Sequence, residues 1–193
     1  VGVFFGAGEA LLCPQLHSCF LMKILKFGGT SVGSAQRMRE VAELIHAPHL
    51  ERRVVVLSAM SGTTNALVEI AGLLGSGDAP AAQARITLLQ QRYHEVAREL
   101  LAEAANALLP TLDAHFQTLL GFLANPLTVA DERVILAQGE LLSTQLMYAY
   151  VTAVLGRPAV LLPALDFMRL AADGEPDAAA IRQGLAAALL PHA

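Results

Sequence analysis

The chain has 193 residues, enough for one domain with a sizeable core. Its net charge is -4, and the densest basic spots, Arg37/Arg39 and Arg52/Arg53, are short, which excludes an extended basic face for nucleic acid. No run of about 18 uninterrupted apolar residues occurs, so no ordinary transmembrane helix is read either.

Residues 1–21 open with the apolar Val1-Gly2-Val3-Phe4-Phe5-Gly6-Ala7. A secretory signal would carry a basic segment before such a run, and Glu9 interrupts it. Met22 is read as the natural start, making 1–21 a non-native or poorly ordered extension; a short genuine appendage is the alternative. Both cysteines, Cys13 and Cys19, fall in this segment, which suits a reducing compartment without a disulfide framework.

Met22-Lys23-Ile24-Leu25-Lys26-Phe27 reads as a short buried strand. A glycine turn, Gly28-Gly29-Thr30-Ser31-Val32-Gly33, follows. Ser34 caps a helix through Met38, Val41, Leu44 and Ile45 that ends near Pro48. Strand, glycine turn and helix together aim backbone N–H groups and a helix N-terminus at one spot, which favours a phosphate. Gly28 and Gly29 permit close approach of the backbone, Lys26 adds a mobile charge, and Thr30 and Ser31 add hydroxyl donors. The bland alternative is a tight turn beside a solvated lysine. Neither the P-loop spacing nor the dinucleotide-binding glycine fingerprint is present.

Arg53-Val54-Val55-Val56-Leu57-Ser58 is a β-branched apolar run, as in a strand buried on both faces of a parallel sheet. The unit so far is βαβ. Ser58-Ala59-Met60-Ser61-Gly62-Thr63-Thr64-Asn65 leaves the carboxyl end of this strand, the side on which open α/β sheets bind ligands. Capping of the next helix, 66–75, by Thr63 or Thr64 is the plainer reading of the same residues. After the break at Gly75–Pro80, residues 81–107 read as one amphipathic helix with Ile86, Leu89, Tyr93, Val96, Leu100 and Leu101 on its stripe. Pro110 and Thr111 start a second helix, with Leu112, Phe116, Leu119, Leu120 and Leu123 inward. His94 and His115 are isolated on this hairpin, and no metal site is read anywhere.

Asn125-Pro126-Leu127 is a turn, and Thr128 caps the next helix with Glu132 in its first turn. Gly139 interrupts that helix, so two helices are expected to meet there, with Glu140 at the N-terminus of the second. Ala159–Leu162 is a third strand, Asp166–Arg169 a loop, and Asp177 caps a last helix through Leu190.

Three blocks carry a family resemblance. Lys26-Phe27-Gly28-Gly29-Thr30-Ser31-Val32, close behind Met22, resembles the opening of the aspartate kinases, in the amino-acid kinase family. Ser58-Ala59-Met60-Ser61-Gly62-Thr63-Thr64-Asn65 resembles that family's second block, and Gly139-Glu140-Leu141-Leu142-Ser143-Thr144 its third. The resemblance implies an α/β fold: a three-layer α/β/α sandwich on an open, mainly parallel sheet of the amino-acid kinase type, with a helical insertion. It implies transfer of the γ-phosphoryl group of ATP to the β-carboxylate of L-aspartate, on the route to lysine, threonine and methionine. Lys26 would neutralise the transferring group, and Gly28, Gly29, Thr30 and Ser31 would hold phosphates. Ser58 and Thr64 would contact aspartate, and Glu140 its α-ammonium. Mg2+ would arrive with ATP, held mainly by phosphate oxygens. A cytoplasmic homodimer or larger homo-oligomer is implied, with no nucleic-acid or membrane partner.

The resemblance runs from Met22 to the last residue but covers only the N-terminal portion of the family's kinase domain. The family's arginine- and aspartate-bearing blocks, nucleotide-base pocket and regulatory domains have no counterpart among the 193 residues. The chain alone is therefore expected to be inactive and to self-associate through an unpaired sheet edge. A non-catalytic fragment that binds ligand weakly stays open as an alternative. So does another amino-acid kinase, acting on acetylglutamate, glutamate or a nucleoside monophosphate.

Overall fold

The computed structural model describes residues 2–6, 22–47, 52–124 and 126–189. The expectations for Cys13 and Cys19, for the helix end near Pro48, and for Asn125 and Leu190 lie outside these residues. Among them, four strands form one open sheet in the order β2 (Met22–Phe27), β3 (Arg52–Leu57), β1 (Gly2–Gly6) and β4 (Ala159–Pro163). β2 and β3 are parallel, with Phe27 opposite Leu57. β1 runs antiparallel to both β3 and β4, so β2, β3 and β4 all point the same way. Gly2–Gly6 lies between β3 and β4 and pairs with both. The reason is local: Gly-Val-Phe-Phe-Gly has strand propensity, and the slot offers hydrogen-bond partners on both sides.

Alternate residues of β3 face two different helical layers. Val55 and Leu57 are fully buried against α1 (Ala35–His46), α2 (Thr63–Gly75) and α5 (Val129–Ala149). Val54 and Val56 pack the other way, with Val160 of β4, onto Phe167 of α6 (Ala164–Phe167) and Ile181 and Leu185 of α7 (Ala178–Leu189). The result is the three-layer α/β/α arrangement. A helical hairpin, α3 (Ala79–Leu101) and α4 (Ala105–Gly121), extends the larger layer through Ile86, Leu89, Tyr93, Leu112, Phe116 and Leu119. No described helix is long and apolar enough to cross a membrane.

Helix starts follow their side chains. Ser34 Oγ accepts from the Arg37 N–H, and Asp78 accepts from the Ala81 N–H with Pro80 in the first turn. Thr128 caps α5 as expected and shares a full capping box with Asp131. Asp177 accepts from the N–H groups of Ala179 and Ala180 at 3.1 and 3.0 Å.

The hairpin breaks earlier than its proline predicts. α3 ends at Leu101, a 3-10 turn spans Ala102–Ala104, and α4 runs straight through Pro110. Pro110 removes one helical hydrogen bond, to the carbonyl of the exposed Asn106. The apolar stripe Ala105, Leu108, Leu112, Phe116 and Leu119 continues across it and holds the helix together. At the far end of α5 a π-helical turn, Tyr150–Val154, precedes β4. The short α6 occupies part of the expected Asp166–Arg169 loop.

Candidate active site

Two loops leave the carboxyl ends of adjacent parallel strands, β2 and β3, and lie against each other. The Ser58 N–H donates to the Phe27 carbonyl at 3.1 Å, carrying the ladder one step past the strands. A Cβ at Gly29 would sit 2.7 Å from the Ala59 carbonyl oxygen, and one at Gly33 would sit 3.0 Å from Ser61 Cβ. Only glycine lets the loops meet at Gly29, because the obstacle is backbone. The turn closes on itself through the Ser31 N–H and Gly28 carbonyl, 2.9 Å apart. Arg37, one turn into α1, donates to the Thr30 carbonyl at 2.7 Å.

Lys26 projects from β2 on the face opposite Leu25 and Phe27, beside the exposed Ile24. Its Nζ lies 3.8 Å from where a Gly28 side chain would begin, so the ammonium stands over the glycine turn. Thr30 is exposed, and Gly28, Gly29 and Ser31 are half-buried. The set is cationic and rich in N–H and O–H donors, the chemistry of an anion site.

α5 closes the second loop from the other side, and here one expectation is corrected. Gly139 does not break the helix: α5 is continuous from Val129 to Ala149, so Glu140 is not at a helix N-terminus. Gly139 marks a close approach instead. A Cβ there would sit 2.8 Å from Ala59 Cβ and 3.3 Å from Leu67 Cδ1 and Thr63 Cγ2. The next residue, Glu140, is half-buried at the edge of this contact. Among the described residues, neither its carboxylate nor the Lys26 ammonium has an ion-pair partner.

Ser143 and Thr144, both wholly buried, hold this junction, and their roles were not read from the sequence. Ser143 Oγ donates to the Ser58 carbonyl at 2.8 Å and to the Glu140 carbonyl at 3.1 Å. Thr144 Oγ1 donates to the Glu140 carbonyl at 2.6 Å. The signal was available: two adjacent hydroxyls in an otherwise apolar helical face need partners.

The cap expected of Thr63 or Thr64 is absent. α2 starts at Thr63 after Gly62, whose φ of 78° is left-handed, and no side chain caps it. Thr63 turns inward, and its Oγ1 lies 3.0 Å from the hydroxyl of Tyr93 on α3. Thr64 is exposed, and Ser58 is half-buried. Burial pushes the Tyr93 hydroxyl up to about 12, against the Thr63 hydrogen bond and the Arg92 charge. The hydroxyl thus stays protonated. Arg92 donates to the Ser61 carbonyl at 2.7 Å. His94 pairs with Asp113 at 2.7 Å and His115 with Gln138 at 2.8 Å.

Comparison with known proteins gives the chain a family. The profile of the amino acid kinase family matches residues 22–191, and the chain belongs to that family. It is 33% identical to chloroplastic aspartokinase 2 of Arabidopsis thaliana over 153 residues, 77% of this chain and 26% of that protein. It is 35% identical to the aspartokinase of Chlamydia trachomatis over 127 residues, 66% of this chain and 27% of that one. Among solved structures, Escherichia coli aspartokinase III in complex with lysine and aspartate matches with a TM-score of 0.72 at 25% identity. The match covers 89% of this chain and 38% of that chain. The same enzyme with aspartate and ADP matches at 0.64. The chain thus spans about a quarter of the length of these aspartokinase sequences.

Proposed function

We propose that this chain forms the phosphate- and amino-acid-binding part of an aspartate kinase. One observation carries the reading: the Lys26–Gly29 turn and the Ser58–Thr64 loop meet at the ends of parallel strands, with Glu140 alongside on α5. An anion site and an amino-acid site thus lie side by side. The family membership and the likeness to an aspartokinase that binds aspartate and ADP support it.

In the proposed reaction a β-carboxylate oxygen of L-aspartate attacks the γ-phosphorus of ATP. The bond from that phosphorus to the bridging oxygen breaks, giving 4-phospho-L-aspartate and ADP. Such transfers depend on positioning and charge neutralisation more than on covalent help from the protein. Lys26 neutralises the oxygens of the moving group, and the Gly28 and Gly29 amides with Thr30 and Ser31 grip phosphate. Ser58 and Thr64 hold aspartate, while Glu140 accepts from its α-ammonium, a charge-assisted contact. Mg2+ enters bound to the nucleotide phosphates, and a donor set of amides, hydroxyls and one ammonium suits those anionic oxygens. The reading places the enzyme in the cytoplasm as a homo-oligomer.

The test is ADP release with MgATP and L-aspartate, measured on the 193-residue chain and on a protein carrying it at the length of its relatives. Activity in the longer protein that prefers L-aspartate over glutamate and acetylglutamate is expected. A longer protein that phosphorylates acetylglutamate or glutamate instead overturns the substrate and leaves the amino-acid kinase chemistry. Absence of any amino-acid-dependent ADP release overturns both.

A further inference from the structure

The Ser58–Thr64 loop is gripped from the side of the helical insertion as well as from α5. Tyr93 is wholly buried on α3, its ring edge-on to Phe116 with centroids 5.9 Å apart. Its hydroxyl meets that of Thr63, also wholly buried, at 3.0 Å. Phenylalanine and valine would fill the same space, and replacing both partners of a buried pair by apolar groups costs little. The pair therefore adds direction to the packing. It fixes where α2 begins, at a helix start that no side chain caps and that follows a left-handed glycine. Neighbouring residues in a helix point about 100° apart. Holding Thr63 inward therefore leaves Thr64 on the exposed side of the helix start. The preceding residue on α3, Arg92, reaches the Ser61 carbonyl, so consecutive α3 residues clasp the loop on both sides of Gly62.

We infer that Tyr93 is a positioning residue for the amino-acid substrate: through Thr63 it sets the orientation of Thr64. With Arg92, it makes the α3–α4 insertion part of the binding site rather than a spacer. The inference rests on the proposed aspartate-binding role of this loop. It assigns Tyr93 no contact with substrate and no proton transfer.

Tyr93→Phe, Thr63→Val and the double variant test it in the longer, active protein. Tyr93→Phe is expected to raise KM for L-aspartate about three- to tenfold, the equivalent of one neutral hydrogen bond, with kcat and KM for MgATP within twofold. The double variant is expected to lose no more than either single one. Arg92→Lys should retain aspartate affinity better than Arg92→Ala. An aspartate KM unchanged within twofold in both single variants overturns the inference. So does an equal rise in KM for MgATP, which marks general loosening. A second readout needs no substrate: amide exchange at Ser61–Asn65 in the 193-residue chain. It should quicken in Tyr93→Phe relative to the body of α3. If the parent protein does not act on aspartate, the functional reading fails, and this exchange alone decides whether Tyr93 orders the loop.

Discussion

The two loops of the site leave neighbouring parallel strands, yet they are held in opposite ways. The glycine turn is held from close by: its own Ser31–Gly28 hydrogen bond and Arg37, seven residues on from Thr30. The Ser58–Thr64 loop has one turn bond of its own, from the Thr63 N–H to the Met60 carbonyl at 2.9 Å, but its side-chain anchors come from afar. Arg92, Tyr93 and Ser143 reach it from 31, 30 and 85 residues away in the chain. The difference fits what each is proposed to grip. A phosphate is satisfied by backbone N–H groups and one mobile cation, which a single turn provides. A small amino acid needs side chains fixed relative to another helix, and only tertiary packing supplies that.

Lys26→Ala attacks the locally held loop and should have the largest effect. In the longer protein kcat is expected to fall about 100- to 1,000-fold, as when one charge-stabilising donor is lost. Lys26 is exposed and without an ion-pair partner among the described residues, so the melting temperature should not move. A fall in melting temperature that accounts for the lost activity would mean that the lysine is structural. Next comes Glu140→Gln, an isosteric change that removes charge only. Aspartate KM should rise about 10- to 100-fold, the scale of a charge-assisted contact, with KM for MgATP unchanged. Equal changes in both constants would remove Glu140 from the amino-acid side.

Gly139→Ala tests the remotely held loop and should show in stability. Adding a methyl in a packed contact costs about 1–3 kcal/mol, and the gain in helix propensity returns about 1 kcal/mol. A net loss lowers the melting temperature by a few degrees, roughly 2–4 °C per kcal/mol for a chain of this size. The clash is with Ala59 Cβ at 2.8 Å, so the double variant Gly139→Ala, Ala59→Gly should recover much of the loss. A gain in stability for Gly139→Ala alone would show that the helix and loop are not in tight contact.

The same contrast explains what was readable from sequence. The positions of β2, the Ser34 cap, α1 and β3 were legible because each is set by neighbouring residues, but β2 is an edge strand with Ile24 exposed rather than the buried strand expected. The glycine turn was legible for the same reason. Gly139 was misread because a glycine inside a helical pattern marks either a break or a close approach. Which one depends on Ala59, 80 positions earlier. Thr63 looked like a cap until Tyr93 claimed its hydroxyl. Tyr93 looked like stripe filler, since periodicity locates an apolar face but does not say where a phenol oxygen goes. Pro110 looked like a boundary because the rule for proline is local, while the stripe that overrides it packs against other elements.

The smallest effect is expected where α5 begins, nearly three turns before it meets the loop. Hydrogen bonds from the Thr128 hydroxyl and then from its backbone N–H hold the Asp131 carboxyl below its usual value of 3.8. A carboxyl with a depressed folded value adds stability above its unfolded value, and that stability is lost as pH falls through the folded one. The capping box should therefore strengthen α5 at neutral pH and fail only below about pH 4. Asp131→Asn should flatten this acid limb of the melting temperature and change it slightly at pH 7. Aspartate KM should not follow, because Gly139 and Ser143 anchor α5 to the loop independently of its first turn. If aspartate affinity did fall in Asp131→Asn, the position of α5 would be set from its N-terminus. The loop would then be held through the whole length of α5, not at the contact itself.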